Sequence, residues 1–438
     1  MISKPKRRFI LKNERPMSTE PSGWNLYEIA LAEDAHARWR EIRETNPILD
    51  AGEGVFFVTS WDLVDGVLRD PRHGAGSGVS SSFSAGGDAP KERLAFAAMR
   101  VWLMSLDGEE QTRARGLVRR EFTPRRIEAL RPRIEDIVDR LLERLRAEAD
   151  QGPVDLIEHL AFALPSEIIR SLFGIPPDEW RNEVEQVIRS VDDSPGASIN
   201  MIDGLAHYFE DRLTRGDVPD GLLAQLRIPD PKLGSLSTLE VVANAVLLVT
   251  AAIDTTAGLI GNTIHCLLEH PAILDSVRSD ARLVPRAIEE TLRFEPPALS
   301  CSRRAGETVE IGGVIVPEGS QLLLGLAAAN RDPARYPEPD SFDISRDHPG
   351  LLSFGGGRHV CLGATLARLE AKIAIERLIA HPDFEIDRIE GPVWQKKNPT
   401  VRALDRLPVR IVPCESSHEP REPRLDSGQT RRTDDARR

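Results

Sequence analysis

The chain has 438 residues, with 69 acidic against 57 basic side chains, and its formal charge of −12 argues against nucleic acid as the main partner. Only 5% of residues are aromatic, so no stacking platform for single strands is present. The cysteines Cys266, Cys301, Cys361 and Cys414 show neither CxxC spacing nor zinc-like histidines, which points to a reducing cytoplasm rather than a disulfide framework.

Residues 1–22 read as a flexible leader, basic at Lys4, Lys6, Arg7, Arg8, Lys12 and Arg15 and without a signal peptide's apolar stretch. From 23 to 413 the 32 prolines and 32 glycines are scattered as turn punctuation, and no linker or repeat marks a seam. One large domain is therefore expected there. Residues 55–59 read as a strand and 61–68 as a helix, and a Gly/Ser-rich stretch covers 73–87. Apolar residues at Ile134, Ile137, Val138, Leu141, Leu142 and Leu145 predict a helix over 127–147.

The next strong element is a long helix. Ser237 and Glu240 form a capping-box signature, and no proline follows until Pro271. The apolar run 241–253 is interrupted by Asn244 and Thr250 and falls short of the ~18–20 residues of a membrane span, so no membrane is expected. Ala251-Ala252-Ile253-Asp254-Thr255-Thr256 then places an acid and two hydroxyls in the middle of a helix expected to be buried, where polar groups need partners. One reading is that the threonines bond back to carbonyls a turn earlier; the other is chemistry.

Beyond it, residues 308–315 with Gly312-Gly313 predict a hairpin, and 321–326 a further strand. The tail 414–438 has almost no apolar residues and cannot offset its ordering entropy. The whole reads as mainly α with small β-sheets (α+β).

The strongest local signal is Ser353-Phe354-Gly355-Gly356-Gly357-Arg358-His359-Val360-Cys361-Leu362-Gly363-Ala364. Its glycines let the backbone adopt turns closed to other residues and approach a ligand. Helical spacing resumes at Ala364, so Cys361 sits where a loop enters a helix, and amides there stabilise a thiolate. The alternative is an anion-binding loop with a structural cysteine, although a phosphate loop wants GxxxxGK[ST] and no lysine stands in that place.

This segment resembles the heme-binding loop of the cytochrome P450 family, FxxGx(R/H)xCxG, with Phe354, Gly357, His359, Cys361 and Gly363 in register. The resemblance implies the cytochrome P450 fold, with the long central helix over heme b (iron protoporphyrin IX) and Cys361 as the thiolate axial ligand of its iron. It further implies that Phe354 shields the sulfur, that Gly355 belongs to the cofactor-binding residues and that His359 meets a propionate. The segment 251–256 resembles the family's [AG]-G-x-[DE]-T motif, which implies catalytic roles for Asp254 as proton relay and Thr255 as the alcohol that holds dioxygen and a water. Ala252 departs from the usual glycine.

Other segments fall into the family's order. Glu290 and Arg293 form its ExxR pair on one helix face, followed by Pro296-Pro297 and by Arg346, which implies a buried network supporting the loop. Gln111 and Arg115 resemble an HxxxR pair facing the propionates, with glutamine in the histidine's place, and Arg303 aligns with a third propionate ligand.

The implied activity is insertion of one oxygen atom from O2 into an apolar small molecule by a soluble, cytoplasmic monomer. Ferredoxin and an NAD(P)H-linked ferredoxin reductase would supply electrons, the ferredoxin steered by Arg113, Arg115, Arg119, Arg120, Arg125 and Arg126. By the same analogy 73–87, 175–208 and 299–302 would wall the substrate pocket. Peroxide-driven oxidation or oxidative coupling on the same scaffold, and a non-enzymatic heme binder, stay open beside this reading.

Overall fold

The long helix forms where its cap places it. In this computed structural model, which describes residues 29, 34–75, 93–191, 196–381, 385–396, 398 and 400–412, the helix runs Thr238–Glu269. Ser237 accepts the Glu240 amide at 3.2 Å while the Glu240 carboxylate takes the Ser237 amide at 2.7 Å. The helix spans about 48 Å at the usual rise per residue and stops at His270, because Pro271 lacks an N–H to continue it. By length and apolarity alone it would cross a membrane, yet 61% of its most apolar window is buried inside the protein.

This helix is shared by two cores. Val242, Val246, Val249 and Ile253 pack with Met99, Leu117, Phe173, Phe209 and Leu223. Leu259, Ile260, Ile264 and Leu267 pack instead with Ile134, Leu141, Ile288, Leu366 and Ile375. Each such side chain contributes roughly 1.5–3 kcal/mol on leaving water, so the helix is clamped at both ends. Between the cores its middle opens: Ala251 and Asp254 are exposed and Ala252 and Thr255 half-buried. The expectation of a buried helix is corrected at Ala251 and Asp254 alone, since Ile253 and Thr256 in the same turn are buried.

The predicted helix 127–147 is split into Pro124–Glu128 and Arg131–Ala149. In an unbroken helix the Pro132 ring would clash with the Glu128 carbonyl, so the second helix starts afresh with that proline in its first turn.

Five strands form the main sheet, in the order Ile48–Gly52, Val55–Val58, Gln321–Leu324, Cys301–Ala305, His73–Gly74. Val55–Val58 runs parallel to Gln321–Leu324, and Cys301–Ala305 antiparallel to it. The strand predicted over 321–326 ends at Leu324, and a short helix Leu326–Asn330 follows. Val309–Ile311 and Val314–Val316 pair as the expected hairpin, whose two-residue turn needs the positive φ of Gly312 (56°) and Gly313 (84°). Helices dominate and sheets are small, as the sequence implied. The leader 1–22, the tail 414–438 and all of 73–87 beyond Ala75 lie outside the described residues.

Candidate functional site

The glycine-rich loop is held by contacts that only its own residues permit. Gly355 and Gly357 have φ of 67° and 64°, and a Cβ on Gly357 would lie 2.1 Å from the Leu68 carbonyl oxygen. That is close enough to exclude any other residue. The Cys361 amide donates to the Phe354 carbonyl at 2.9 Å and closes the loop, and Arg368 lies 4.4 Å over the Phe354 ring. Helix Ala364–Ala380 begins just beyond Cys361, with Gly363 as its cap.

Cys361 is exposed to solvent, although protein packs closely around it. Burial of its surroundings pushes the thiol up, against the Gly363 and Ala364 amides and the Arg115 and Arg368 charges, which pull it down. The amides predicted from sequence are therefore present, but desolvation outweighs them for the free thiol. A metal cation on sulfur reverses that balance, because a coordinating thiol gives up its proton.

The helix Gly108–Arg119 covers the loop. Gln111 is buried and its Nε2 donates to the Arg358 carbonyl at 2.9 Å, while Arg115 donates to the Val360 carbonyl at 2.5 Å. His359 Nε2 stands 3.2 Å from Asp107, whose carboxylate also accepts the Ala75 amide at 2.9 Å. Burial lowers the His359 pKa, with Asp107 opposing. Arg303 reaches this group from the main sheet; it is buried, donates to the Ser302 carbonyl at 2.8 Å, and its charge also acts on His359. Among the described residues no carboxylate is paired with Arg115 or Arg303. Guanidiniums drawn out of water call for an anion, and two of them beside an imidazole fit a group that carries carboxylates. The donor set thus suits heme: a sulfur for iron and cations for propionates.

Ala252 in the middle of the central helix and Leu362, next to Cys361, pack against the same core. Thr255 Oγ1 donates to the Ala251 carbonyl at 2.8 Å, so the plain back-bonding reading describes its hydroxyl in this structure. Asp254 is exposed on the open turn. Ala252 is half-buried and packs against the first core.

The expected support network is present and larger than the motif. Arg293 donates to Glu290 at 2.7 and 2.8 Å, and both side chains are wholly buried. Arg346 lies 3.6 Å from Glu290, while His348, which sequence reasoning missed, lies at 2.8 Å. Burial works against the Glu290 charge, yet Arg293 and His348 hold its carboxyl below the usual range. Asn330 donates to Ser353 at 2.7 Å and accepts the Leu352 amide at 2.9 Å, and Ser353 in turn donates to the Leu292 carbonyl. The loop is thereby anchored between Glu290 and Arg293. No spacing rule pointed to His348, Asn330 or Asp107, because each lies far along the chain from its partner.

Of the six arginines expected to steer a partner, Arg113 pairs with Glu240 and Arg126 with Glu121, and Arg115 and Arg120 bond carbonyls. Arg119 and Arg125 are exposed. Of the expected pocket walls, Leu299 and Ser300 are buried and Cys301 and Ser302 half-buried.

Comparison with known proteins gives a consistent result. The family model described as Cytochrome P450 matches residues 199–408. The chain is 36% identical over 403 residues to Cytochrome P450 107B1 of Saccharopolyspora erythraea, covering 88% of this chain and 96% of that protein. It is 40% identical over 317 residues to the Vitamin D(3) 25-hydroxylase of Pseudonocardia autotrophica, covering 71% and 78%. Among solved structures, P450BioI in complex with hexadec-9Z-enoic acid ligated acyl carrier protein superposes with a TM-score of 0.78 at 28% identity, over 86% of this chain and 99% of that one.

Proposed function

The chain belongs to the cytochrome P450 family of heme-thiolate monooxygenases, and on that premise we propose that it inserts one oxygen atom from O2 into an apolar small organic molecule. The observation that carries the site assignment is the convergence of Cys361 with Arg115, Arg303 and His359, where neither guanidinium has a paired carboxylate among the described residues. Heme bound there through sulfur supplies dioxygen activation, the thiolate favouring O–O cleavage. Cys361 is the iron ligand in this reading, Phe354 and Gly355 shape its loop, and Gln111, Arg115, Arg303 and His359 hold the cofactor's carboxylate side.

Asp254 and Thr255 are the proton-handling pair. The Thr255 hydroxyl exchanges its Ala251 carbonyl for a water, and the Asp254 carboxyl, exposed on the same open turn, passes protons to that water. A carboxyl within one water of its target is an effective general acid. The presence of both groups favours O2-dependent hydroxylation or epoxidation over peroxide use.

An apolar substrate is supported by a relative whose name specifies vitamin D(3) and a solved neighbour in complex with hexadec-9Z-enoic acid ligated acyl carrier protein. We assign electron supply to a separate ferredoxin with its NAD(P)H-linked reductase, docking near Arg119 and Arg125, and place the protein in the cytoplasm as a monomer built of one domain over 23–413. The deciding experiment is the reduced-CO spectrum of the wild type and of Cys361→Ser. A thiolate-type band in the first and its loss in the second are expected; retention of the band in Cys361→Ser defeats the assignment.

A further inference from the structure

The side of the central helix that opens at Ala251 and Asp254 continues one turn on to Gly258, because residues four apart share a helix face. There the helix meets two other segments: a Cβ on Gly258 would lie 3.1 Å from Pro297 Cβ and 3.2 Å from Ala403 Cβ. Those segments are joined to each other. The Arg402 amide donates to the Pro297 carbonyl at 2.7 Å, the Leu299 amide to the Thr400 carbonyl at 3.0 Å, and Ala298 pairs with Val401 as an isolated bridge. Together they make a two-stranded lip at the end of the open turn, with Ala298 and Val401 half-buried.

Behind the lip lies a buried polar cluster that the proposed mechanism does not use. The Glu295 carboxylate takes a hydrogen bond from Arg402 Nε at 2.5 Å and lies 2.9 Å from His36 Nε2. Arg402 stacks 3.9 Å over the Trp394 ring. Asn262, wholly buried and one turn beyond Gly258, donates to both the Glu295 carbonyl (3.0 Å) and the Arg402 carbonyl (2.9 Å). Arg331 completes the surroundings, its guanidinium bonded to the Phe294 carbonyl and its charge acting on Glu295. The residue Glu295 therefore fastens the helix Ala35–Thr45, the lip's second strand and, through Asn262, the central helix.

We infer that Glu295 and Arg402 are positioning residues that set the lip against the open turn of the central helix and so fix how a bulky substrate lies there. The inference rests on the proposed heme site, since the lip faces substrate only if that turn does. Neither side chain needs to touch substrate. Removing one partner leaves the other charge buried and unpaired, and the strand that carries it shifts.

Imidazole and 4-phenylimidazole, titrated optically as iron ligands, separate access to the iron from the shape of the walls. Glu295→Gln is expected to keep the wild-type reduced-CO spectrum and its imidazole affinity, while the 4-phenylimidazole Kd changes about tenfold, the scale on which a displaced wall registers. Arg402→Lys, which keeps the charge without the planar fork, is expected to change it in the same direction and less, and serves if the first variant does not fold. An unchanged 4-phenylimidazole Kd, or equal changes for both ligands, overturns the inference. A wild type without a thiolate-type CO band instead overturns the heme site itself.

Discussion

His348 Nε2 and Glu290 Oε2 lie 2.8 Å apart, with the carboxylate wholly buried and already bridged twice by Arg293. The Asp343 amide donates to the same carboxylate at 2.8 Å, so Glu290 collects the segment 343–348 onto helix Val284–Phe294. That segment leads directly into the glycine-rich loop. The imidazole is thus part of the frame that holds Cys361 in place, although it stands upstream of the whole loop motif.

Loss of this hydrogen bond leaves acceptor capacity on a buried carboxylate unsatisfied. His348→Ala is expected to cost about 1–3 kcal/mol of stability, read as a lowered denaturation midpoint in urea. His348→Gln, able to donate in the same place, is expected to recover part of it. Equal midpoints for His348→Ala and wild type would remove His348 from the network.

Thr255→Ala removes the hydroxyl that exchanges its carbonyl for a water. The CO spectrum is expected to stay intact while electrons are diverted to peroxide, and Asp254→Asn is expected to slow turnover about a hundredfold, within the usual range for a lost general acid. Product formed per NADPH at the wild-type ratio in Thr255→Ala would sink the proton-handling role.

Glu370 is buried in helix Ala364–Ala380, with Oε2 unpartnered among the described residues, and burial pushes its carboxyl up to about 8 from 4.5. A folded pKa above the unfolded one means that its contribution is fully present below pH 4.5 and is lost as pH rises through about 8. Glu370→Gln removes this titration, so its melting temperature is expected to gain on wild type across that window. Parallel melting curves for the two proteins would show that Glu370 does not titrate there.

Arg119 and Arg125 are exposed, and no acidic side chain is paired with them among the described residues. At physiological salt such charges act over about 8 Å, so raised ionic strength is expected to slow ferredoxin-supported turnover while leaving dithionite reduction unchanged. Arg125→Glu is expected to weaken the salt response in the same assay. Equal insensitivity of both reductions would count against this patch.

Much of the site was legible in the sequence because its signals are local. The capping box of Ser237 and Glu240, the positive-φ glycines around Cys361 and the i, i+3 pair of Glu290 and Arg293 are each set by neighbours within one turn. Side-chain chemistry at short spacing dictates such features before the chain folds back on itself.

What only the tertiary structure decided is who meets whom across the fold. His36 lies 259 positions from Glu295, and His359 lies 252 from Asp107, distances over which no periodicity carries information. The exposure of Ala251 and Asp254 beside the buried Ile253 and Thr256 is likewise invisible locally, because it depends on what distant segments pack around the helix. Local patterning named the thiolate and its loop. Long-range packing decided which cations stand around them and where the helix yields room.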